Sequence, residues 1–361
     1  MSGKEAKKNG AFSEFLKRKN IVFSVKRYGI DALSAMAQGL FASLLVGTIF
    51  GTIGEQTGLQ VFLDIGAFAK AATGPAMAVA IGYALNCPPL VLFSLAAVGS
   101  AANTLGGAGG PLAVLLVAIV AAECGKALSK ETKVDILVTP CVTIAVGVLL
   151  SMLCAPAIGA AASAVGNSIM WATELQPFFM GVLVSVIVGI ALTLPISSAA
   201  ICAALGLTGL AGGAAVAGCC AQMVGFAVMS FRENRWGGLL AQGLGTSMLQ
   251  MGNIVKNPLI WIPPTLASAV TGPMATVLFR LQMNGPAVAS GMGTCGLVGQ
   301  IGVYTGWVND VAAGVKASIT ASDWIGLVLI CFILPAVLTA LIALPLRKIG
   351  WIKENDLKLS L

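Results

Sequence analysis

Four polar side chains stand at helical spacing in one long apolar stretch. The stretch runs from Trp236 to Pro264, and the 20 residues between Arg235 and Lys256 carry no charge and are enough to cross a bilayer as a helix. The spacing i, i+4, i+8 and i+11 predicts one helical face made of Gln242, Thr246, Gln250 and Asn253. Two interpretations stay open: these groups hold helices together, or they line a path for a neutral, hydroxyl-rich solute.

A second group of polar residues accompanies a glycine-rich segment near the end of the chain. The segment 285–302 has six glycines in 18 residues and is a poor independent helix, so we expect a re-entrant hairpin. Helix-breaking prolines also follow Asn257. We therefore predict a solute site with few charges, formed by eight residues: Gln242, Thr246, Gln250, Asn253, Asn257, Asn284, Thr294 and Gln300.

Composition places these residues in a membrane. The chain is 57% hydrophobic and 10% charged, with a mean hydropathy of +0.93, which is typical of an all-α polytopic membrane protein. We expect about ten transmembrane helices with one or two re-entrant hairpins. The predicted spans are 33–53, 65–85, 90–103, 111–124, 136–154, 178–192, 201–210, 214–229, 266–279 and 324–346, and 157–171 is predicted to be an interfacial helix.

The distribution of charge predicts the orientation and the domains. Eight of the 21 lysines and arginines precede Asp31 and four follow Leu346, the pattern of cytoplasmic segments. We therefore expect a cytoplasmic basic segment over 1–30, a transmembrane domain over 31–348 and a cytoplasmic tail over 349–361. The positive charge of +7 indicates the membrane surface and not nucleic acid as its partner.

Several kinds of chemistry have no support in the sequence. No nucleophile motif, Walker sequence or dinucleotide fingerprint occurs, and the chain has no histidine. The nine cysteines form no CxxC motif and are expected to be buried free thiols. We predict no catalytic residue, metal site or cofactor. Glu174, at a helix start, is either a cap or a contact for a proton or a hydroxyl group. Lys70 is expected near the outer end of its helix, where it can snorkel.

Several stretches together resemble a known family. They are GLFASLLVGTI, TKVDILVTP, ATELQPF, LTLPISSAAI, CCAQMVGFAVMSFREN, WGGLLAQGLGTSMLQMGNIVKNP and GMGTCGLVGQIG. They resemble the membrane subunit IIC of the bacterial phosphoenolpyruvate-dependent sugar phosphotransferase system, in the branch of the perfringolysin regulator-like proteins. The resemblance covers about residues 30–346. It implies about ten transmembrane helices, re-entrant hairpins, a homodimer, elevator-type alternating access and sugar handed to a phosphorylated IIB partner. Separate IIA and IIB proteins are therefore possible partners.

The resemblance and the residues together predict function. The preferred interpretation is a permease subunit that moves a sugar or other neutral polar solute across the bacterial inner membrane, with both termini cytoplasmic. The alternative is a membrane-embedded sensor or regulator that has the IIC fold and has lost phosphotransfer. Sugar-binding residues of glucose-type members are not carried over, because the segment 285–302 has no carboxylate and the chain has no histidine.

Overall fold

The chain is all-helical throughout the part that the structure describes. The computed structural model describes residues 14–173 and 175–359, so residues 1–13 of the predicted basic segment, and Glu174 with its predicted role, lie outside the described ranges. Within these ranges no β-strand forms, and Gly209 and Met283 make an isolated antiparallel bridge. The α-helices are α1 (Ala32–Leu40), α2 (Val46–Thr57), α3 (Gln60–Ala71), α4 (Thr73–Ala84), α5 (Pro89–Gly106), α6 (Gly110–Leu128), α7 (Asp135–Thr173), α8 (Pro177–Thr193), α9 (Ser198–Ala204), α10 (Gly209–Met229), α11 (Phe231–Leu240), α12 (Met251–Lys256), α13 (Ile262–Pro273), α14 (Val298–Ala312), α15 (Ala321–Val328) and α16 (Leu334–Ile349).

Five helical stretches of the described chain are long and apolar enough to cross a membrane. They are Arg27–Gly51, Pro89–Leu128, Asp135–Val165, Gly209–Met229 and Ala321–Ile349. The pair α3 and α4, bent by 48° between Ala71 and Thr73, makes a sixth if it counts as one span. The protein is therefore a multi-pass membrane protein, as its composition predicts. Shorter apolar helices such as α8 also contribute, and a total of about ten spans stays a prediction.

Helices α5, α6 and α7 form the first packed unit. The helices α5 and α6 run antiparallel, because a β-carbon added at Gly125 near the end of α6 would lie 2.9 Å from Val91 at the start of α5. Helix α7 has 39 residues and is about 58 Å long at 1.5 Å per residue, which exceeds a hydrocarbon core of about 30 Å. The separate interfacial helix predicted over 157–171 is wrong, because α7 continues through Pro156 without a break.

Helices α8 and α10 form the second unit, and they run parallel. Contacts join Ser185 to Gly218 and Thr193 to Gln222, so both chains advance in the same direction. The chain returns between them through residues 194–208, which contain the short helix α9. Helix α13 packs antiparallel against both, and the Ser185 hydroxyl donates to the Ser268 carbonyl at 2.8 Å.

The glycine-rich segment folds back on itself, as its composition predicts. It consists of short 3-10 turns followed by α14. Its two ends meet, because a β-carbon at Gly285 would lie 2.2 Å from the Gly302 carbonyl oxygen. Its tip lies against the middle of α10, where Gly293 contacts Cys219. We call residues 285–302 the return segment.

The stretch from Trp236 to Pro264 is not one helix, which corrects the prediction of a single polar helical face. It contains the end of α11, a π turn over Ala241–Gly245, a 3-10 turn over Ser247–Gln250 and then α12. Thr246 breaks it with an extended backbone at φ −157° and ψ 141°, and Asn257 is extended too. The glycines and prolines of this stretch explain the breaks, because each disfavours a continuous helix.

The basic residues before the first span attach to the loop between α6 and α7. Arg18 and Lys19 pair with Glu131 at 2.8 and 2.5 Å, and the Lys19 ammonium also donates to the Ser129 carbonyl. The hydrogen bond from Lys19 is the main cause that lowers the pKa of Glu131 below its usual value of 4.5. This loop therefore holds residues 14–20 against the helical domain.

This attachment is expected to depend on pH. A carboxylate with a lowered pKa stabilises the folded arrangement above pH 4.5, and that contribution disappears as the pH falls through the lowered pKa. Glu131→Gln should reproduce the loss at neutral pH, so trypsin should cleave after Lys17, Arg18 and Lys19 faster than in the wild type. The exposed Glu354 provides the control Glu354→Gln. Equal cleavage of both variants would contradict the role of Glu131.

Candidate functional site

Three of the predicted amides form a buried chain of hydrogen bonds despite the break at Thr246. The Gln250 amide donates to Gln242 Oε1, and the Asn253 amide donates to Gln250 Oε1, both at 2.8 Å. The Gln242 amide donates in turn to the Ser230 hydroxyl and to the Gly238 carbonyl. Gln242 and Gln250 are fully buried. These contacts satisfy the amide groups within the protein, which agrees with the interpretation that they hold elements together.

The same amides hold the C-terminal tail. Residues 350–359 fold back against α11 and α12. The Leu357 side chain is fully buried in the core. Asn234 binds the tail backbone on both sides, donating to the Leu357 carbonyl at 2.7 Å and accepting from the Leu359 amide at 2.8 Å. Three further side-chain amides donate hydrogen bonds to the tail. The Gln250 amide donates to the Leu357 carbonyl and the Asn253 amide to the Lys358 carbonyl. The Asn257 amide donates to the Trp351 carbonyl and to Asp356 Oδ2.

A cavity lies beside this amide chain. It has a volume of about 250 Å³ and is lined by Asn253 together with Asp31, Ser34, Lys256 and Lys358. Of the three hydrogen-bonded amides Gln242, Gln250 and Asn253, Asn253 lines this cavity. Contact of a solute with the predicted amides stays a prediction.

The predicted residues of the return segment lie apart from the amide chain. The Thr294 hydroxyl is fully buried against Met223 Sδ at 3.6 Å, and the Gln300 amide donates to Cys220 Sγ at 3.2 Å. Both therefore fasten the return segment to α10. Asn284 donates to Asp310 at 2.8 Å, close to where the segment begins and ends. The structure thus divides the eight predicted residues among several places.

A larger cavity lies between the return segment and the pair α2 and α3. Its volume is about 510 Å³, within the range of roughly 300–1,000 Å³ that is usual for small-molecule sites. One wall comes from α9, the return segment and the following part of α14, and the other comes from α2, α3 and Leu44 just before α2. The polar lining residues are Thr48, Gln56, Lys70, Ser197 and Thr305, and the apolar ones include Leu44, Val288, Met292, Val298 and Ile301.

A narrower cavity continues from this one toward Thr246. It has a volume of about 60 Å³ and shares Leu44, Ser197 and Met292 with the larger cavity. Thr246 lines it and is the one residue of the predicted eight that reaches either of these two cavities. We call the two together the hairpin cavity.

Local sequence explains how the wall of the hairpin cavity is positioned. Ser197 caps α9, since its hydroxyl accepts from the Ala200 amide at 3.2 Å. The Ser198 hydroxyl donates to the Gly291 carbonyl at 2.7 Å, and the Ser290 hydroxyl donates to the Leu207 carbonyl at 2.6 Å. These reciprocal bonds join α9 to the return segment, so the two form one wall.

Sequence reasoning missed Ser197, Thr48 and Thr305 as cavity residues. Thr48 and Thr305 stand in apolar helices, and the Thr48 hydroxyl donates to the Leu44 carbonyl at 2.7 Å, as many helical threonines do. The available signal was the run Pro195–Ser198, where a proline and a serine cap interrupt an apolar segment. This run predicts a break in the helix, but it does not indicate which residues line the cavity.

Comparison with known proteins identifies the family. The family model described as "Phosphotransferase system, EIIC" matches residues 30–359, which is most of the chain. No curated protein and no solved structure matches the chain significantly. Membership implies sugar transport, with IIA and IIB proteins as partners. The chain therefore belongs to the EIIC family of membrane transporters of the phosphotransferase system.

Proposed function

We propose that this protein moves a sugar across the bacterial inner membrane and that the hairpin cavity holds the sugar. The observation that carries the proposal is the cavity of about 510 Å³ lined by both hydroxyl-bearing and apolar residues. Sugars present hydroxyl groups around an apolar ring, and sites for small ligands combine mostly apolar walls with a few placed polar groups. Ser197, Thr48 and Thr305 supply hydroxyls from three different elements of the fold.

The two walls of the cavity belong to parts of the fold that can separate. The return segment and α9 are bonded to each other, and Thr294 and Gln300 fasten that wall to α10. The opposite wall, α2 and α3, forms a close pair in which Gly47 lies against Gly66. A relative displacement of these two bodies opens the cavity without breaking either wall, and we propose this as the transport movement.

Finer features of the protein are part of the same proposal. The seven stretches quoted above support placement in the perfringolysin regulator-like branch, and the basic ends of the chain support cytoplasmic termini. A homodimer is supported by the resemblance and by exposed apolar residues of α3, among them Val61, Ile65 and Phe68. Separate IIA and IIB proteins are proposed to act at the cytoplasmic side.

Filling the cavity is expected to abolish sugar binding. Ala200 lines it from α9, and Ala200→Trp places an indole in the space that the sugar needs. A thermal-shift screen of the purified protein with sugars and polyols should find a stabilising ligand, and the shift should follow RT ln(1+[L]/Kd). The Ala200→Trp variant should show at least about a tenfold loss of affinity, since a blocked site loses most contacts at once.

A matched variant separates blockage from general damage. Ala157 lies on an exposed face of α7, so Ala157→Trp adds the same bulk away from the cavity and should leave ligand affinity unchanged. Full affinity in a folded Ala200→Trp variant would place the sugar elsewhere. The cavity beside Asn253 would then be the next candidate.

A further inference from the structure

One lysine lines the hairpin cavity. Lys70 is the one charged side chain among the described residues that surround the 510 Å³ cavity. It reaches across from α3 to α2, because a β-carbon added at Gly51 would lie 3.0 Å from the Lys70 ammonium nitrogen. The ammonium group therefore stands at the contact between α2 and α3, on the wall opposite Ser197.

Lys70 lies in the last turn of α3, which ends at Ala71. The chain bends by 48° between α3 and α4. That Lys70 snorkels near the outer end of its helix stays a prediction. Its side chain lines the cavity.

Among the side chains that the structure describes, no carboxylate forms an ion pair with this lysine. The ion pairs of the described residues involve Arg18, Lys19, Lys126, Lys316 and Arg347 as cations. Lys70 is exposed, and its ammonium group lies at the lining of the cavity. It is therefore accessible to an anion of a ligand in that space.

We propose that the sugar carried by this protein is a sugar acid whose carboxylate pairs with Lys70. The inference rests on the proposed function and narrows its substrate class. One cation without a described partner balances one negative charge, so a monocarboxylate fits better than a phosphate ester with nearly two charges. Ser197, Thr48 and Thr305 are left to bind hydroxyl groups of the same molecule. The sequence alone favoured a neutral solute, because it gave no indication that Lys70 reaches the site.

Matched pairs of acidic and neutral sugars test whether the carboxylate of the ligand contributes to binding. D-gluconate and sorbitol share a six-carbon chain and differ at C1, where the first has a carboxylate and the second a hydroxyl group; D-glucuronate and D-glucose differ in the same way at C6. We expect the acid of at least one pair to bind wild-type protein at least about tenfold more tightly than its neutral counterpart, since a hydrogen bond to a charged group exceeds a neutral one. This comparison needs no variant.

Three variants then assign the preference to Lys70. Lys70→Met should remove the preference for the acid, and Lys70→Arg should retain most of it because the charge is kept. Lys133→Met alters an exposed lysine in the loop between α6 and α7 and should change nothing. A preference that persists in Lys70→Met would overturn the assignment.

The outcomes also separate this inference from the proposed function. If neutral sugars bind as tightly as the acids, and Ala200→Trp abolishes their binding, the inference fails while the sugar site in the hairpin cavity stands. If no acid and no neutral sugar binds the wild-type protein, both fail.

Discussion

Gly218→Ala is expected to lower the stability of this protein strongly. Gly218 lies in α10 where α8 passes closest, and a β-carbon there would lie 1.9 Å from the Ser185 carbonyl oxygen and 2.5 Å from its carbonyl carbon. These are backbone atoms, so no side-chain rotation relieves the contact. Overpacking usually costs about 1–3 kcal/mol and occasionally more, and we expect the upper part of this range.

The effect should extend beyond the pair of helices. The Ser268 hydroxyl of α13 donates to the Gly218 carbonyl at 3.3 Å, so three helices meet at this position. Helix α10 also supports the return segment through the contact of Gly293 with Cys219. Separation of α8 from α10 would therefore disturb one wall of the hairpin cavity, and any remaining folded protein should bind ligand less tightly.

Thermal unfolding and size-exclusion profiles of the purified variants measure the loss. Gly237→Ala is the matched control, because an added β-carbon at Gly237 meets no heavy atom within 4 Å. Alanine stabilises a helix by up to about 1 kcal/mol relative to glycine, so this control should be at least as stable as the wild type. A Gly218→Ala variant that melts with the wild type would contradict the close packing of α8 and α10.

Gln250→Leu is expected to release the C-terminal tail and to lower the melting temperature. The substitution keeps the bulk of the side chain and removes its hydrogen bonds to Gln242, Asn253 and the Leu357 carbonyl. Gln242 Oε1 then loses its donor in a fully buried place, at a cost of roughly 1–3 kcal/mol for each group left without a partner. Withdrawal of the tail would expose these groups to water and relieve part of the cost.

Limited proteolysis reports the released tail. Trypsin should cleave after Lys353 and Lys358 faster in the Gln250→Leu variant than in the wild type, and mass spectrometry would identify the short C-terminal peptides. Gln176→Leu, at an exposed glutamine before α8, is the control and should leave the tail protected.

Ligand affinity of the same variant distinguishes the two interpretations of the amide chain. If Gln250 only holds the tail, the surviving protein should bind its sugar as the wild type does. A folded Gln250→Leu variant with a protected tail and weakened sugar binding would instead support the site that the sequence predicts around Gln242, Gln250 and Asn253.

Much of the architecture could be predicted from local features of the sequence. Hydropathy predicts an all-α membrane protein, and the six glycines of 285–302 predict a segment that folds back. The single helical face predicted from the spacing of Gln242, Thr246, Gln250 and Asn253 is wrong, because the backbone of Thr246 is extended. Periodicity assumes an unbroken helix, and the surrounding glycines remove that condition.

The composition of the cavity and of the tail contacts could not be predicted, because both depend on residues far apart in the chain. Gln250 and Leu357 are separated by 107 residues, and nothing local to either indicates the other. Lys70 and Ser197 face one cavity from different units of the fold. The sequence identified the polar groups that need partners, and only the three-dimensional arrangement shows which partners are protein and which space is left for a solute.

A structure with bound sugar shows whether the hairpin cavity holds the solute. A cryo-electron microscopy map of the protein with the best ligand of the thermal-shift screen should show the sugar between α9, the return segment and the pair α2 and α3. We expect density within hydrogen-bonding distance of Ser197 and Thr305, with a carboxylate at Lys70. Sugar density beside Gln250 and Asn253, with the hairpin cavity empty, would contradict this expectation.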